Sequence, residues 1–235
     1  MTVLHASAVV SVVRPGLRLW LSADPLGLAA GASVARWTDL SGCNGHATEA
    51  TQRPTFQPAT VQGLAVVQFD GVNDLMTGAV GGVSTEVTVL AVVKFASVAS
   101  GGGVLELATT GGGTRCLALF QESSAMKLRL TGSPNALASQ VTYAFSDTSG
   151  YHLLAGTHDT ASRSLRQDGV AKATTTYTDP LPATPTEYQV GSLYPPSYPL
   201  PGSLAELLLY DRVLPPSELA MLERSLGARY GLAIP

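Results

Sequence analysis

The sequence predicts an all-β fold, a two-layer sandwich, and three observations carry that prediction. Short segments rich in β-branched, aromatic and leucine residues recur along the chain, each closed by Gly, Pro, Asn or Asp. The 235 residues include 24 Gly and 15 Pro, and breakers at that density leave little room for long helices. Hydrophobic residues make up 45% of the chain and charged residues only 13%, about half the usual ~25%. Such a chain buries a core and does not stay disordered, and its length is ample to do so without staples.

The elements follow in order. Strand-like segments are LRLWLSA (17–23), LAVVQFD (64–70), TVLAVVKFA (88–96), VLELAT (104–109), RCLALFQ (115–121) and MKLRLT (126–131). They continue with YHLLAGTHD (151–159), RSLRQDGVAKATTTY (163–177), YQVGSL (188–193) and SLAELLLYD (203–211). About ten to thirteen strands at this spacing suit a sandwich or jelly roll. In MKLRLT, Met126, Leu128 and Leu130 alternate with Lys127, Arg129 and Thr131, the pattern of a strand with one face buried and one wet. Asp168-Gly169 marks a hairpin, because a two-residue turn needs positive φ. The two Gly-Gly-Gly runs, 101–103 and 111–113, read as hairpin tips, since no Gly-Lys-Ser/Thr follows to make a phosphate loop.

One helix is predicted, from about 216 to 229. Pro216 suits the first turn, where its missing N–H is not needed. Glu218 and Arg229 complement the positive and negative helix ends, and Leu219, Leu222 and Leu226 form an apolar stripe at i, i+3 and i+7. Gly231 can stop the helix. Ahead of it, LYPPSYPLPG (193–202) is a loop rich in Tyr and Pro. No internal repeat or low-complexity linker interrupts the chain.

The net charge is −3. Without clustered Lys and Arg the chain is not expected to bind nucleic acid, and no apolar run approaches the ~18 residues of a membrane span. Arg outnumbers Lys eleven to three and Ala is abundant, a composition read as that of a GC-rich bacterial or phage genome. The opening apolar stretch lacks a basic leader and ends at Arg14 and Pro15, so a cleaved signal peptide is not expected. Its Val9, Val10, Val12 and Val13 suit a strand. Cys43 and Cys116 are too few for a disulfide scaffold and lack metal spacing. One bridge between them is open, and two buried free thiols are preferred.

Several segments in their order resemble laminin-G-like jelly rolls of the concanavalin A-like lectin/glucanase superfamily. LRLWLSAD followed by VARWTDLSGCNGHAT is similar to that group's opening strand and Trp-x-Asp-x-Ser-Gly turn. VVQFDGVNDLMT resembles its Phe-Asp-Gly-x-x-Asp strand end. YHLLAGTHD with SLRQDGV resembles its Trp-His-x-x-Ala-Gly-Thr-x-Asp hairpin, with Tyr151 in place of the Trp. GSLAELLLYDRVLPPSELAMLERSLGARYGL is similar to its closing strand and helix. The likeness runs from about 17 to 232. It implies two antiparallel sheets packed face to face, one of them concave, in a jelly-roll domain over 17–235. Residues 1–16 are then an N-terminal strand or assembly arm, with the neighbour's sheet slightly preferred over the chain's own.

The fold does not fix the chemistry. A glycanase needs two carboxylates across the scissile bond, commonly Glu-x-Asp-x-x-Glu on one strand. The sequence has no such motif. Glu106 and Glu206 are read as rim or surface carboxylates, and no enzyme activity is expected. His5, His46, His152 and His158 accompany no Gly-x-Ser-x-Gly elbow. His152 and His158 read as strand-face histidines satisfied by hydrogen bonds, with Asp159 or Asp168 in reach of His158. Members of this fold often hold a structural calcium, so Asp39, Asp70, Asn73, Asp74 and Asp211 are candidate oxygens, Asp70 and Asp74 first; the other reading is Asx-turns. Tyr188, Tyr194 and Tyr198, among stiffening prolines, form a candidate sugar platform or else lids over the sheet. Trp20 and Trp37 are expected in the core.

The expectation is a non-catalytic, lectin-like surface module of a phage virion or bacterial surface assembly, binding a glycan or another host-surface receptor. The alternative is a structural capsid or tail decoration subunit with no ligand. Either would sit on a virion or extracellular surface, among other subunits and as an oligomer.

Overall fold

Strand periodicity builds two antiparallel sheets, seen in a computed structural model that describes residues 12–83, 85–99, 101–131, 140–176, 179–194 and 197–235. The strands are β1 (Leu17–Ser22), β2 (Arg36–Trp37), β3 (Ala47–Thr48), β4 (Thr55–Val61), β5 (Leu64–Asp70), β6 (Met76–Ala79), β7 (Val87–Phe95) and β8 (Gly102–Ala108). They continue as β9 (Arg115–Glu122), β10 (Ala125–Arg129), β11 (Val141–Ala144), β12 (His152–His158), β13 (Arg163–Gln167), β14 (Val170–Thr175), β15 (Glu187–Val190) and β16 (Pro201–Tyr210). The single α-helix among the described residues is α1 (Pro216–Tyr230). The sixteen strands among the described residues exceed the expected ten to thirteen, partly because β2 and β3 are two-residue pairings that carry no periodic signal.

One sheet runs β14-β13-β12-β7-β16-β5-β4, with β1 also on β16. The closing strand β16 divides one edge between two partners: Pro201–Leu204 pair with β5 and Glu206–Tyr210 with β1. The other sheet runs β11-β10-β9-β8-β15-β6-β3-β2. Between them lies the main core, where Leu19, Val67, Val89 and Leu207 of the first sheet meet Leu107, Leu117, Met126 and Tyr188 of the second. The alternation read in 126–131 holds, with Met126, Leu128 and Leu130 buried.

A second apolar cluster covers half of the first sheet's outer face. Leu64 and Val66, Leu90 and Val92, and Leu208 and Tyr210 point outward on β5, β7 and β16 and pack under α1. Leu219, Leu222 and Leu226 are buried there as the stripe predicts, each contributing roughly 1.5–3 kcal/mol by leaving water. Gly231 ends the helix at φ 66°, its N–H bonded to the Gly227 carbonyl, a conformation that favours a residue without Cβ. No described helix is long and apolar enough to cross a membrane.

Several local expectations need correction. Gly102 and Gly103 are not a hairpin tip but buried residues of β8, where a Cβ on Gly103 would meet the Ser192 backbone at 2.6 Å. The second triple-Gly run does sit at the β8–β9 turn. Trp37 is fully buried, whereas Trp20 is half-buried on the helix side. Both cysteines are free, but Cys43 is exposed. The N-terminal arm lies outside the described residues up to residue 11; Val12 and Val13 pack beside the helix-side cluster.

Candidate functional site

The two outer faces of the sandwich carry the outward side chains of its long strands. On the second sheet that face carries Lys127 and Arg129 of β10, Phe120 of β9, Glu106 of β8 and Gln189 of β15, each opposite the next across the strands or one pair along. The Tyr- and Pro-rich loop folds down on it. The Tyr194 N–H donates to Glu106 Oε2 at 2.6 Å, its hydroxyl donates to Glu187, and Arg115 donates to its carbonyl. Tyr198 donates its hydroxyl to Glu122 and sets its ring 5.7 Å from Phe120. The Arg129 guanidinium lies over the Phe120 ring, 4.7 Å from its centroid. These contacts make the loop a lid. Tyr188 belongs elsewhere: it is fully buried between the sheets, its hydroxyl donating to the Gly45 carbonyl. Strand parity separates it from the platform proposed for all three tyrosines, since its neighbour Gln189 takes the outward position.

The carboxylates read as surface groups are both fully buried. Glu106 lies under the loop, with Arg115 Nε 3.5 Å away; burial pushes its carboxyl up, and the Tyr194 amide opposes that. Glu206 accepts from the Trp20 indole N–H and the Tyr230 hydroxyl beneath α1, and burial raises it too. They lie on opposite outer faces, one in each sheet, so they cannot flank one glycosidic bond. Sequence reasoning missed their burial because the partners that make it tolerable come from distant segments. His152, not His158, reaches Asp168, with Nδ1 2.8 Å from its Oδ2; His158 is buried against Arg163.

Asp70 and Asp74 shape a turn at the end of β5. Asp70 Oδ1 accepts the N–H groups of Val72, Asn73 and Asp74, and Asp74 Oδ2 accepts the Asp70 N–H at 2.9 Å. These bonds hold Asp70 below the usual carboxylate range despite its partial burial. Burial raises Asp74 to about 6, with the Asp70 charge adding to it. Asp39 likewise caps its own turn, accepting from Trp20, Ser41 and Gly45, and Asp211 pairs with Arg18. Among the described residues no group of three or more His, Cys, Asp or Glu is arranged to hold a metal.

The first sheet's outer face offers an open site. Its outward positions on β5 and β7 read Leu64, Val66, Gln68, Asp70 and Leu90, Val92, Lys94. The apolar half lies under α1. Past the end of the helix the same rows turn polar, and Thr55, Gln68, Ser203 and Lys94 stand opposite one another across β4, β5, β16 and β7. Tyr151 closes the row and lines a cavity together with Ser203. Two adjoining cavities of about 400 and 370 Å³ lie over this floor and share Gln68 and Asp70. Gln57 and Arg53 wall one, and Thr60 and Tyr151 the other. The site mixes amide, hydroxyl, ammonium and carboxylate groups with one aromatic ring, enough to meet both donors and acceptors of a polar ligand. Its signal in the sequence was a polar residue near the end of two otherwise apolar strands: Gln68 in LAVVQFD and Lys94 in TVLAVVKFA.

A family model described as the concanavalin A-like lectin/glucanases superfamily matches residues 70–220. No curated protein sequence matches the chain. Among solved structures, Trypanosoma rangeli sialidase in complex with sialic acid superposes with a TM-score of 0.65 at 16% identity, over 96% of this chain and 37% of the sialidase. The botulinum neurotoxin serotype D binding domain does so with a TM-score of 0.67 at 10% identity, over 96% of this chain and 56% of that one. The chain thus spans from about a third to a little over half of these neighbours, and at such identities the likeness is one of fold.

Proposed function

The chain belongs to the concanavalin A-like lectin/glucanases superfamily, and from that premise we propose that it is a non-catalytic, lectin-like module that binds a glycan in the groove over Gln68, Ser203 and Lys94. The observation that carries this reading is the polar row left open on an otherwise apolar, helix-covered sheet face. A sugar presents hydroxyls that both donate and accept. Gln68 and Gln57 can answer with either role, Lys94 with donors and Asp70 with acceptors, while the ring of Tyr151 offers an apolar surface to sugar C–H groups. A rigid sheet floor keeps these groups in place before the ligand arrives, which lowers the ordering cost of binding.

The same geometry supports the non-catalytic part of the proposal. Hydrolysis with retention needs carboxyl groups about 5 Å apart across the bond. Glu106 and Glu206 lie in different sheets, and only the Oδ1 of Asp70 is taken by its turn. The test is a glycan array on the purified protein, followed by calorimetry on the oligosaccharide bound best. Gln68→Ala and Lys94→Ala should each weaken that binding at least tenfold while the melting temperature stays within a few degrees. An array without a bound glycan, or variants that bind as tightly as the parent, would refute the proposal.

A further inference from the structure

The two cavities of the groove differ in charge. Lys94 is half-buried in the one it shares with Tyr151 and Ser203. Among the described residues, no Asp or Glu oxygen lies within 4.0 Å of its ammonium, and no hydrogen bond holds it. Its outward neighbours are uncharged. Val92 lies two positions back on β7, under the helix, and Ser203 stands opposite on β16. The pairing of His152 with Val93 sets Tyr151 on the other side, and Ala96 continues the wall. An ammonium taken partly out of water without a counter-ion is costly. A carboxylate on a ligand would offset that cost with a charge-assisted hydrogen bond.

The adjoining cavity has the opposite balance. Asp70 and Asp74 both line it, against Arg53. Arg53 is exposed and donates its Nε–H to the Glu49 carbonyl. The turn N–H groups keep Asp70 ionised, so a second ligand carboxylate there would meet like charge. Sugar hydroxyls suit it better, since Thr55, Gln57 and Asp70 can accept from them. From Lys94 to Thr55 the floor crosses β7, β16, β5 and β4, three strand spacings or about 14 Å. That is longer than one sugar ring.

We propose that the groove takes an acidic oligosaccharide, with a sugar carboxylate on Lys94 beside Tyr151 and the following, uncharged sugars crossing Gln68 toward Thr55 and Gln57. This rests on the groove reading and adds to it a charge, a direction and a length of more than one sugar. A hexuronic acid and a sialic acid offer the same carboxylate, so both serve as probes.

Calorimetry at pH 7 compares glucuronosyl xylobiose and sialyllactose, each with its carboxyl-reduced form, in which a hydroxymethyl group replaces the carboxylate. At least one acidic glycan should bind tenfold or more tighter than its reduced form, and which one does so identifies the acid. Lys94→Gln should bring that ratio close to one, and Lys94→Arg should keep it. Equal affinity for both forms of both glycans, or a preference that survives Lys94→Gln, overturns the acidic assignment. Gln57→Ala should weaken the trisaccharide at least fivefold; a trisaccharide that binds no tighter than its free acidic monosaccharide overturns the crossing of the groove. Gln68→Ala separates this proposal from the groove reading. If the reduced forms bind as well as the acidic ones and Gln68→Ala weakens both tenfold, the groove stands and the acid fails. If none of the four glycans binds, the acidic assignment fails and the glycan array alone decides the groove.

Discussion

The two outer faces of this sandwich are closed in different ways, and that difference is what the proposed binding groove rests on. One is closed by α1, which meets it with leucines and stops at Gly231, leaving the sheet's polar rows open beyond. The other is closed by a loop whose tyrosines, amides and carbonyls are spent on Glu106, Glu122, Glu187 and Arg115. Aromatic residues in a Pro-rich loop look like a ligand platform in sequence. Here their polar ends are tied down, while Gln68 and Lys94 on the opposite face project into a cavity.

The largest expected effect tests the helix side. Leu222→Ala should destabilise the fold by roughly 2–5 kcal/mol, the range for large-to-small changes in a core, read from urea unfolding. A loss under about 0.5 kcal/mol would mean that the helix does not close that face.

Next comes pH. Asp74 has a folded pKa of about 6, above the ordinary value of about 4 for Asp. The folded form therefore binds its proton more tightly than the unfolded form, so this group favours folding below about pH 4 and ceases to do so as pH rises through 6. His158 works in the opposite sense. Burial and the Arg163 charge lower it to about 4, so its contribution is present above its unfolded value near 6.5 and is lost as pH falls toward 4. Asp74→Asn should remove the first contribution alone and make the protein more acid-sensitive relative to the parent between pH 6 and 4. An unchanged difference between the two proteins across that range would contradict the assigned burial of Asp74.

The smallest effect tests the loop side. Tyr194→Phe removes the hydroxyl bond to Glu187 and should cost about 0.5–1.5 kcal/mol, with glycan affinity unchanged. A tenfold loss of affinity with intact stability would return the ligand to the loop.

What the sequence disclosed and what it hid divide along the range of the interactions. The helix was legible because Leu219, Leu222, Leu226 and Gly231 are local signals. So was the Asp168-Gly169 turn, where both residues take positive φ. The β9–β10 hairpin escaped detection because Ser123 and Ser124 take positive φ without the residues that favour it. The loop's place escaped because Tyr194 meets Glu106 across 88 positions and Tyr198 meets Glu122 across 76. Glu106 and Glu206 looked exposed because charge usually is; distant donors made their burial possible. The groove was hidden in part. Its polar residues are visible in their strands, but their alignment across four strands depends on register, which no single segment reveals.

An NMR chemical-shift map of the protein with its array-selected oligosaccharide tests the central claim most directly. The account predicts that the largest shifts fall on Gln68, Lys94, Tyr151 and Ser203, with the amides around Tyr194 and Tyr198 unmoved. Shifts centred on Tyr194, Tyr198 and Arg129, with the groove silent, would contradict it.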